Sequence, residues 1–595
     1  MTGCYHLFIL CIISSLLASL CELIIPRIIS FAIDTVLGGS SADSSSLPQA
    51  IIEKLNINIH GDNTILIFAV VICVLAALLG IFKYGEAVFD RKGSEKLAKN
   101  MRDDLFGHIV HLPFSWFSKQ KTGDIIQRCT SDVELVRDFL SEQLTYVVTT
   151  VIMIALSLVF MFSVNIVVAT VSLMFVPLIV AFSLIFHMKI SNQFEKADEN
   201  EGKLSAICQE NLTGVRVVRA FGQERYEISK YKKQNDLYTN DWIRLGKILS
   251  VYWAVGDIIS GTQVMSVLVA STVLCVSGTL SVGELVSLVL YNSMLVWPVR
   301  SLGRTISEMS KAGVSLKRID GIMSAETEKD APDAVECDPE GDISFSHVSY
   351  SFGGEKKVLD DVSFTVKKGQ TVGIIGMTGS GKSTLVSLLC RLYDLDEGDG
   401  KITINGTDIR NIKLESLRKN VGIVLQEPFL FSRTLKENIG ISFNAIEEHE
   451  FEIKEAVRES CLEDTIDNFT QGYDTKVGER GVTLSGGQKQ RTAIARLLAT
   501  DPPIMIFDDS LSAVDSETDA KIRRAIVEHS RDKTVFIISH RTQTIAGSDF
   551  IIVLSGGKIA ESGTHEELMK EHGIYRKLYD IQHSFATEAA EEVSA

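Results

Sequence analysis

The chain has 595 residues, 46% of them hydrophobic and 23% charged, with a formal charge of -16. That length exceeds a single hydrophobic core, and the mixture of apolar and charged content calls for a membrane-embedded part beside a large water-soluble part. The acidic balance argues against nucleic acid as the partner, which needs a basic surface; ten scattered cysteines without a C-x-x-C argue against a disulfide or metal framework.

Residues 7–33 are almost wholly apolar, interrupted by Glu22, Pro26 and Arg27, and exceed the ~20 residues that cross a bilayer. Met1 to Leu7 carries no Lys or Arg, which favours a first span over a signal peptide. After the polar segment Gly38 to Asn63, span two (64–83) runs without a breaker into the charged helical stretch Glu86 to Val110. Spans three (143–164) and four (166–187) are divided only by Asn165, and a polar helical region follows to Leu245. Spans five (248–277) and six (282–302) are joined by Ser277 to Gly283, and the sixth continues as a helix to Met323.

Basic residues set the orientation, because Lys- and Arg-rich loops stay cytoplasmic. Gly38 to Asn63 holds only Lys54, whereas Arg91 to Arg137 and Lys189 to Lys247 hold about ten basic residues each. Each of these excursions reads as a helix out, a reversal and a helix back, with about 25 helical residues reaching roughly 37 Å from the membrane. The reversals are Pro113 to Asp124 and Asn211 to Gly222; Trp116, Phe117 and Phe221 on them argue for a covered surface. In spans five and six, Tyr252, Trp253, Met294 and Trp297 are candidates to line a cavity, against packing as the alternative. Asp257 is the sharper signal, since a carboxylate in a span faces a cavity or a partner.

Residues 324–341 are small, acidic and Pro-containing, as a linker is, and strand-like alternation begins at Ile343. The strand Thr371 to Ile375 leads into Gly376-Met-Thr378-Gly379-Ser380-Gly381-Lys382-Ser383-Thr384, a G-x-x-x-x-G-K-[ST] loop, followed by a predicted helix from Leu385 to Leu392. In such a loop the backbone wraps phosphates, Lys382 places a charge on the β/γ oxygens, and the Ser383 hydroxyl ligates Mg²⁺. Downstream, Leu484-Ser485-Gly486-Gly487-Gln488 precedes a predicted helix from Gln490 to Ala499, an arrangement that offers N–H groups to an anion. After Asp501-Pro502-Pro503, the run Ile504 to Phe507 reads as a buried parallel strand delivering Asp508 and Asp509 at its carboxyl end, where carboxylates suit Mg²⁺ and an attacking water.

Taken together, Gly376 to Thr384, Leu484 to Gln488 and Asp508 resemble the nucleotide-binding domain of ABC transporters over most of residues 342–580. Gln426 looks like the Q-loop, Thr475 to Gly481 like the X-loop of exporters, Ser512 to Asp515 like the D-loop and His540 like the switch histidine; the two reversals look like coupling helices. The resemblance implies a membrane α-helical bundle of six transmembrane helices with long cytoplasmic extensions, joined to a cytosolic α/β P-loop domain. The domains expected are residues 1–323 (transmembrane), 324–341 (linker), 342–580 (nucleotide-binding) and 581–595, an Ala- and Glu-rich tail expected to be disordered. The family's elbow helix and N-terminal tail are missing ahead of span one, so a truncated start is expected.

The resemblance further implies ATP and Mg²⁺ as cofactors, with two such domains closing head to tail around each ATP. Phe352 takes the adenine-stacking place, Tyr350 being a weaker candidate. Gly376, Thr378, Gly379, Ser380, Gly381, Lys382, Ser383 and Thr384 hold phosphates; Asp508, Gln426 and Ser383 form the metal shell; His540 meets the γ-phosphate. Ser485, Gly486, Gly487, Gln488 and Asp515 act toward the partner's site. Asp509 departs from the pattern: the family has Glu there to activate water, and Asp is one methylene shorter. Such a change resembles one half of the heterodimeric bacterial multidrug exporters. The expectation is therefore a multi-pass plasma-membrane ATPase, with a second half-transporter, the bilayer and an amphipathic substrate as partners. A homodimeric lipid or peptide exporter and an ATP-binding regulatory subunit are the alternatives.

Overall fold

A computed structural model describes residues 4–37, 64–354, 356–510, 516–529 and 532–583. The expected external segment Gly38 to Asn63, the Ser512 to Asp515 stretch and the tail beyond His583 lie outside the described residues. The chain divides into two compact units, one of residues 1–111 and 120–325, the other of 112–119 and 326–595.

The first unit is helical. Its elements are α1 (Tyr5–Leu37), α2 (Thr64–Val110), α4 (Thr122–Val164), α5 (Ile166–Thr213), α6 (Val215–Ala220), α7 (Glu224–Val276) and α8 (Val282–Met323), while α3 (Phe114–Lys119) belongs to the second unit. Among the described residues six helices are long and apolar enough to cross a membrane. At 53 residues α7 is ~80 Å long, far more than a bilayer needs, which is the long extension the charged stretches predicted.

The turns are set by side-chain caps. Asn165 leaves the helical region (φ -154°) and its Oδ1 accepts from the N–H groups of Val167 and Val168, closing α4 and opening α5 with one residue. Ser281 and Glu284 form a reciprocal capping box at the start of α8. Asp34 of α1 reaches the same turn, accepting from Ser281 Oγ (2.6 Å) and the Gly283 N–H (2.8 Å). A Cβ on Gly283 would lie 2.0 Å from the Ser30 carbonyl oxygen, so only glycine permits this approach. Leu23, Met161, Val168, Val267, Leu288, Tyr291 and Leu295 form the buried seam. Within it Ser172 Oγ and Gln263 Nε2 both donate to Asn292 Oδ1, at 2.8 and 2.9 Å, tying α5, α7 and α8.

The second unit carries two sheets. One is antiparallel, ordered β2-β1-β4-β5, from β1 (Ile343–Tyr350), β2 (Leu359–Val366), β4 (Lys401–Ile404) and β5 (Thr407–Asp408). The other, ordered β10-β9-β3-β8-β7-β6, is built from β3 (Thr371–Gly376), β6 (Val421–Val424), β7 (Ile504–Asp508), β8 (Thr534–Ile538), β9 (Phe550–Ser555) and β10 (Lys558–Gly563). Its pairs from β9 through β6 are parallel, and β7 and β8 are buried at every residue, which explains their unbroken apolar runs. Because β3, β8, β7 and β6 are parallel neighbours, their carboxyl ends open on one edge, where such sheets place ligand sites.

Three boundaries differ from expectation. The helix after the P-loop, α9, spans Lys382–Leu389, three residues earlier at each end. The helix after the LSGGQ run, α10, spans Gly486–Thr500, so both glycines lie inside its first turn. Ser485 and Gln488 cap each other reciprocally there, which outweighs the poor helix propensity of the two glycines. Ile581 to His583, expected in the tail, are helical. Residues 328–337 are held against the second unit's core: Glu328 pairs bidentately with Arg418 (2.8 and 2.9 Å), and Val335 exchanges backbone bonds with Asn411 and Lys413. Phe114 of α3 lies edge-on to Tyr393 at 5.4 Å.

Candidate functional site

Four strand ends assemble one cleft: β3 delivers Lys382, β8 His540, β7 Asp508 and Asp509, and β6 Gln426. The cleft has a volume of ≈ 370 Å³ and is lined by Phe352, Thr378, Gly379, Gly381, Lys382, Ser383, Thr384, Gln426, Asp508, Asp509 and His540, with Val358 and Ile538 added to what the sequence suggested.

The loop after β3 turns through Gly379 (φ +81°) and Gly381 (φ +100°), and a Cβ on Gly381 would meet Leu359 Cδ2 at 2.6 Å and the Val358 oxygen at 2.9 Å. Lys382 folds back over this loop, its Nζ donating to the carbonyls of Gly376 (2.9 Å) and Met377 (3.1 Å). Burial lowers its pKa, against the opposing pull of Asp508 and Asp509. Asp508 is almost wholly buried; burial raises its pKa, with the Asp509 charge adding to the rise and a hydrogen bond from Ser383 opposing it. The Ser380 hydroxyl is buried without a hydrogen-bond partner among the described residues.

Ser383 and Asp508 place a hydroxyl and a carboxylate side by side, both hard oxygen donors, beside an open cleft. That donor set fits Mg²⁺, which takes one or two protein ligands and fills the rest with water and phosphate oxygens.

Asp509 stands in the left-handed region (φ +44°), which Asp tolerates better than most side chains, with its N–H donating to the Ile538 carbonyl at 3.0 Å. Its Oδ2 is 3.5 Å from Gln426 Nε2, at the outer limit of a hydrogen bond. Phe352 is 53% exposed and is braced edge-on by Tyr350 and Tyr393, both at 5.1 Å. Tyr350 is half-buried against the core.

The cleft does not include Ser485, Gly486, Gly487 or Gln488; Asp515 lies outside the described residues. A residue the sequence reading missed is Gln582, whose Nε2 donates to the His540 carbonyl (2.7 Å) while its Oε1 accepts from the Thr542 N–H (2.9 Å), fixing the histidine's turn. Nothing local to Gln582 signals this.

In the membrane helices, Tyr252 is buried and stacks on Phe182 at 5.7 Å, and Met294 is half-buried against the seam. Trp253 and Trp297 are exposed and stack on each other at 6.1 Å. Asp257 has a partner, Arg300, at 2.6 Å.

A chain with membrane-spanning helices and a P-loop cleft at the ends of a parallel sheet is a membrane protein that binds nucleotide. The family model of the ABC transporter transmembrane region matches residues 8–299 and the ABC transporter family model matches residues 359–512. The chain is 36% identical over 500 residues to the probable multidrug resistance ABC transporter ATP-binding/permease protein YheI of Bacillus subtilis, covering 83% of this chain and 85% of that protein. It is 30% identical over 576 residues to the ATP-dependent lipid A-core flippase of Pseudomonas aeruginosa, covering 96% and 93%. A bacterial Atm1-family ABC exporter solved with ATP bound superposes with a TM-score of 0.81 at 26% identity, covering 98% of each chain. The chain belongs to the ABC transporter family, with the transmembrane and ATP-binding parts fused. It is a multi-pass plasma-membrane ATPase coupled to export, of a kind that works as a dimer in the bilayer.

Proposed function

We propose that the chain exports amphipathic small molecules of the multidrug kind as one half of a heterodimer, in which the site built on its own P-loop is degenerate. The observation that carries this is Asp509, the short carboxylate at the end of β7. A reacting group displaced by about 1 Å loses ~10²-fold in rate, so this site binds ATP and hydrolyses it slowly. The intact Ser485-Gly486-Gly487-Gln488 turn lies outside the chain's own cleft and serves the partner's ATP.

In this reading Phe352 stacks adenine, the Gly376 to Thr384 loop wraps the phosphates, and Lys382 leaves its two carbonyls to meet the β/γ oxygens. Ser383 and Asp508, with Gln426 nearby, would hold Mg²⁺, which would supply charge neutralisation at the phosphates. His540 contacts the γ-phosphate end, and Asp515 and the signature turn face the partner. ATP binding favours the closed pair of domains, and hydrolysis at the partner's site reopens it. The proposed division is residues 1–323, 324–341, 342–580 and 581–595, with the nucleotide-binding domain in the cytosol, as the basic bias of the two excursions requires.

A homodimeric lipid exporter is the second reading, favoured by the similarity to the lipid A-core flippase over nearly the whole chain. Purifying the tagged chain from its native membrane decides between them. Co-purification of a second half-transporter with Glu after its own strand-end Asp supports the proposal; a species containing this chain alone, with brisk ATPase activity, overturns it.

A further inference from the structure

We propose that Gln582 is the positioning residue of the switch histidine, which makes the C-terminal helix of the second unit part of the γ-phosphate sensor. This rests on the role given to His540 above and adds a residue that is not among those lining the cleft.

His540 stands on the turn between β8 and the short helix Thr542–Ile545. The first N–H groups of a helix have no partner within it, and Thr542 is only 1% exposed, so water does not serve this one. Arg541, at the N-cap position, provides no side-chain bond to the helix start. Gln582 supplies what that cap lacks. Its Oε1 accepts from the N–H and from Oγ1 of Thr542, each at 2.9 Å, and its Nε2 donates to the His540 carbonyl at 2.7 Å. A backbone N–H only donates and a carbonyl only accepts, so the two ends of the side-chain amide are assigned without ambiguity. Glutamine is the side chain this bridge needs: ionised Glu has no donor, Asn is one methylene shorter, and Leu has neither end.

The amide imposes a position on the turn only if its own helix is fixed, and it is. That helix covers residues 574–583. Glu561 of β10 accepts from the N–H groups of Ile574 and Tyr575, the latter at 3.0 Å, which sets a carboxylate at the positive end of the helix. Tyr575 is fully buried, its hydroxyl hydrogen-bonded to His565 Nδ1 at 2.7 Å, and Ile574 and Leu578 pack on the core that contains Phe507 and Ile537. The helix thus runs from the β10 edge of the sheet to the switch turn, and its last turn holds the backbone of a residue whose side chain lines the cleft. A hydrogen bond of ordinary length is lost once its partners part by about 1 Å. Slack in this turn therefore removes the imidazole from the γ-phosphate while the loop after β3 keeps its hold on the other phosphates. The expected signature is selective: ATP weakens and ADP does not.

The test is competition of ATP and of ADP, each with Mg²⁺, against a fluorescent ATP analogue in membranes holding the full chain with its partner half, the partner's P-loop being disabled. Gln582→Leu, which removes both polar ends, is expected to weaken ATP about five- to tenfold and ADP by less than about twofold, moving the ratio in the same direction as His540→Ala. Gln582→Glu keeps the acceptor for Thr542 and loses the donor for His540; it is expected to follow Gln582→Leu, whereas a role confined to stability leaves it at the wild-type ratio. Asp580→Asn, which breaks the exposed pair with Arg576 on the same helix, is the control and is expected to bind both nucleotides as wild type. Should Gln582→Leu fail to fold, Gln582→Glu decides. The wild-type ratio in Gln582→Glu, or equal weakening of both nucleotides, overturns the positioning role. A ratio lost in His540→Ala and kept in the Gln582 variants removes this inference alone; a ratio kept in His540→Ala as well removes the γ-phosphate role of His540 with it.

Discussion

Replacing Lys382 by Ala removes an ammonium whose Nζ donates to the carbonyls of Gly376 and Met377 at 2.9 and 3.1 Å. The bond to Gly376 is buried and the one to Met377 partly so, so losing their donor costs the fold about 1–3 kcal/mol. Nucleotide binding loses more, because the proposed role gives Lys382 two charge-assisted bonds to phosphate oxygens, each about 1.5–3 kcal/mol. The sum of ~3–6 kcal/mol corresponds to roughly 10²–10⁴ in affinity. The assay is titration of the detergent-solubilised variant with a fluorescent ATP analogue, in a form where the partner's P-loop is already disabled, alongside its thermal unfolding. Membrane insertion should match wild type and melting should fall only modestly, while binding disappears from the accessible range. Affinity within about threefold of wild type refutes the argument that Lys382 contacts phosphate.

Gly283→Ala forces a methyl group to within 2.0 Å of the Ser30 carbonyl oxygen and breaks the Asp34 bonds to the α8 turn; a loss of at least ~2 kcal/mol is expected, read as a lower melting temperature and lower yield. Cys390 is buried with its thiol pushed up to about 12, so at pH 8 its thiolate fraction is on the order of 10⁻⁴ and it stays unlabelled by maleimide until the chain unfolds. Because the folded thiol's pKa is raised, lowering the pH cannot expose reactivity, and raising it toward about 12 is where reactivity appears. Cys208, exposed on the long extension of α5, should label rapidly with an impermeant maleimide in inside-out vesicles and not in intact cells; labelling from outside overturns the proposed orientation.

The sheet edge that carries the cleft was legible because each strand is a short apolar run ending in a chemically distinctive residue, and parallel pairing turns that sequence order into spatial convergence. Asp508 after Ile504 to Phe507 is the clearest instance: a strand buried on both faces leaves nothing ambiguous about where its polar end emerges. Asn165 was likewise legible as a break, and its capping bonds explain why a single residue suffices. The start of α10 was misread because helix propensity penalises Gly486 and Gly487, while the capping box that overrides it depends on the rotamers of Ser485 and Gln488. Arg300 beside Asp257, the Ser172–Gln263–Asn292 cluster and the Gln582 bond to His540 join residues 29 to 120 positions apart, and no local pattern encodes which helices meet. Tyr252 illustrates the converse: an aromatic in a span looks the same in sequence whether it packs on Phe182 or faces a cavity.

The central claim, that this chain supplies a working signature turn to a partner while its own site is weak, is tested most directly by comparing Asp509→Asn with Ser485→Arg in the assembled complex. The measurement is the ATPase rate in membranes containing both halves. The account predicts that Asp509→Asn lowers the rate only mildly, whereas Ser485→Arg, which sets bulk and charge against the partner's γ-phosphate, nearly eliminates it. If the chain alone hydrolyses ATP briskly and loses that activity on Asp509→Asn, Asp509 is an ordinary catalytic base and the degenerate-site account is contradicted.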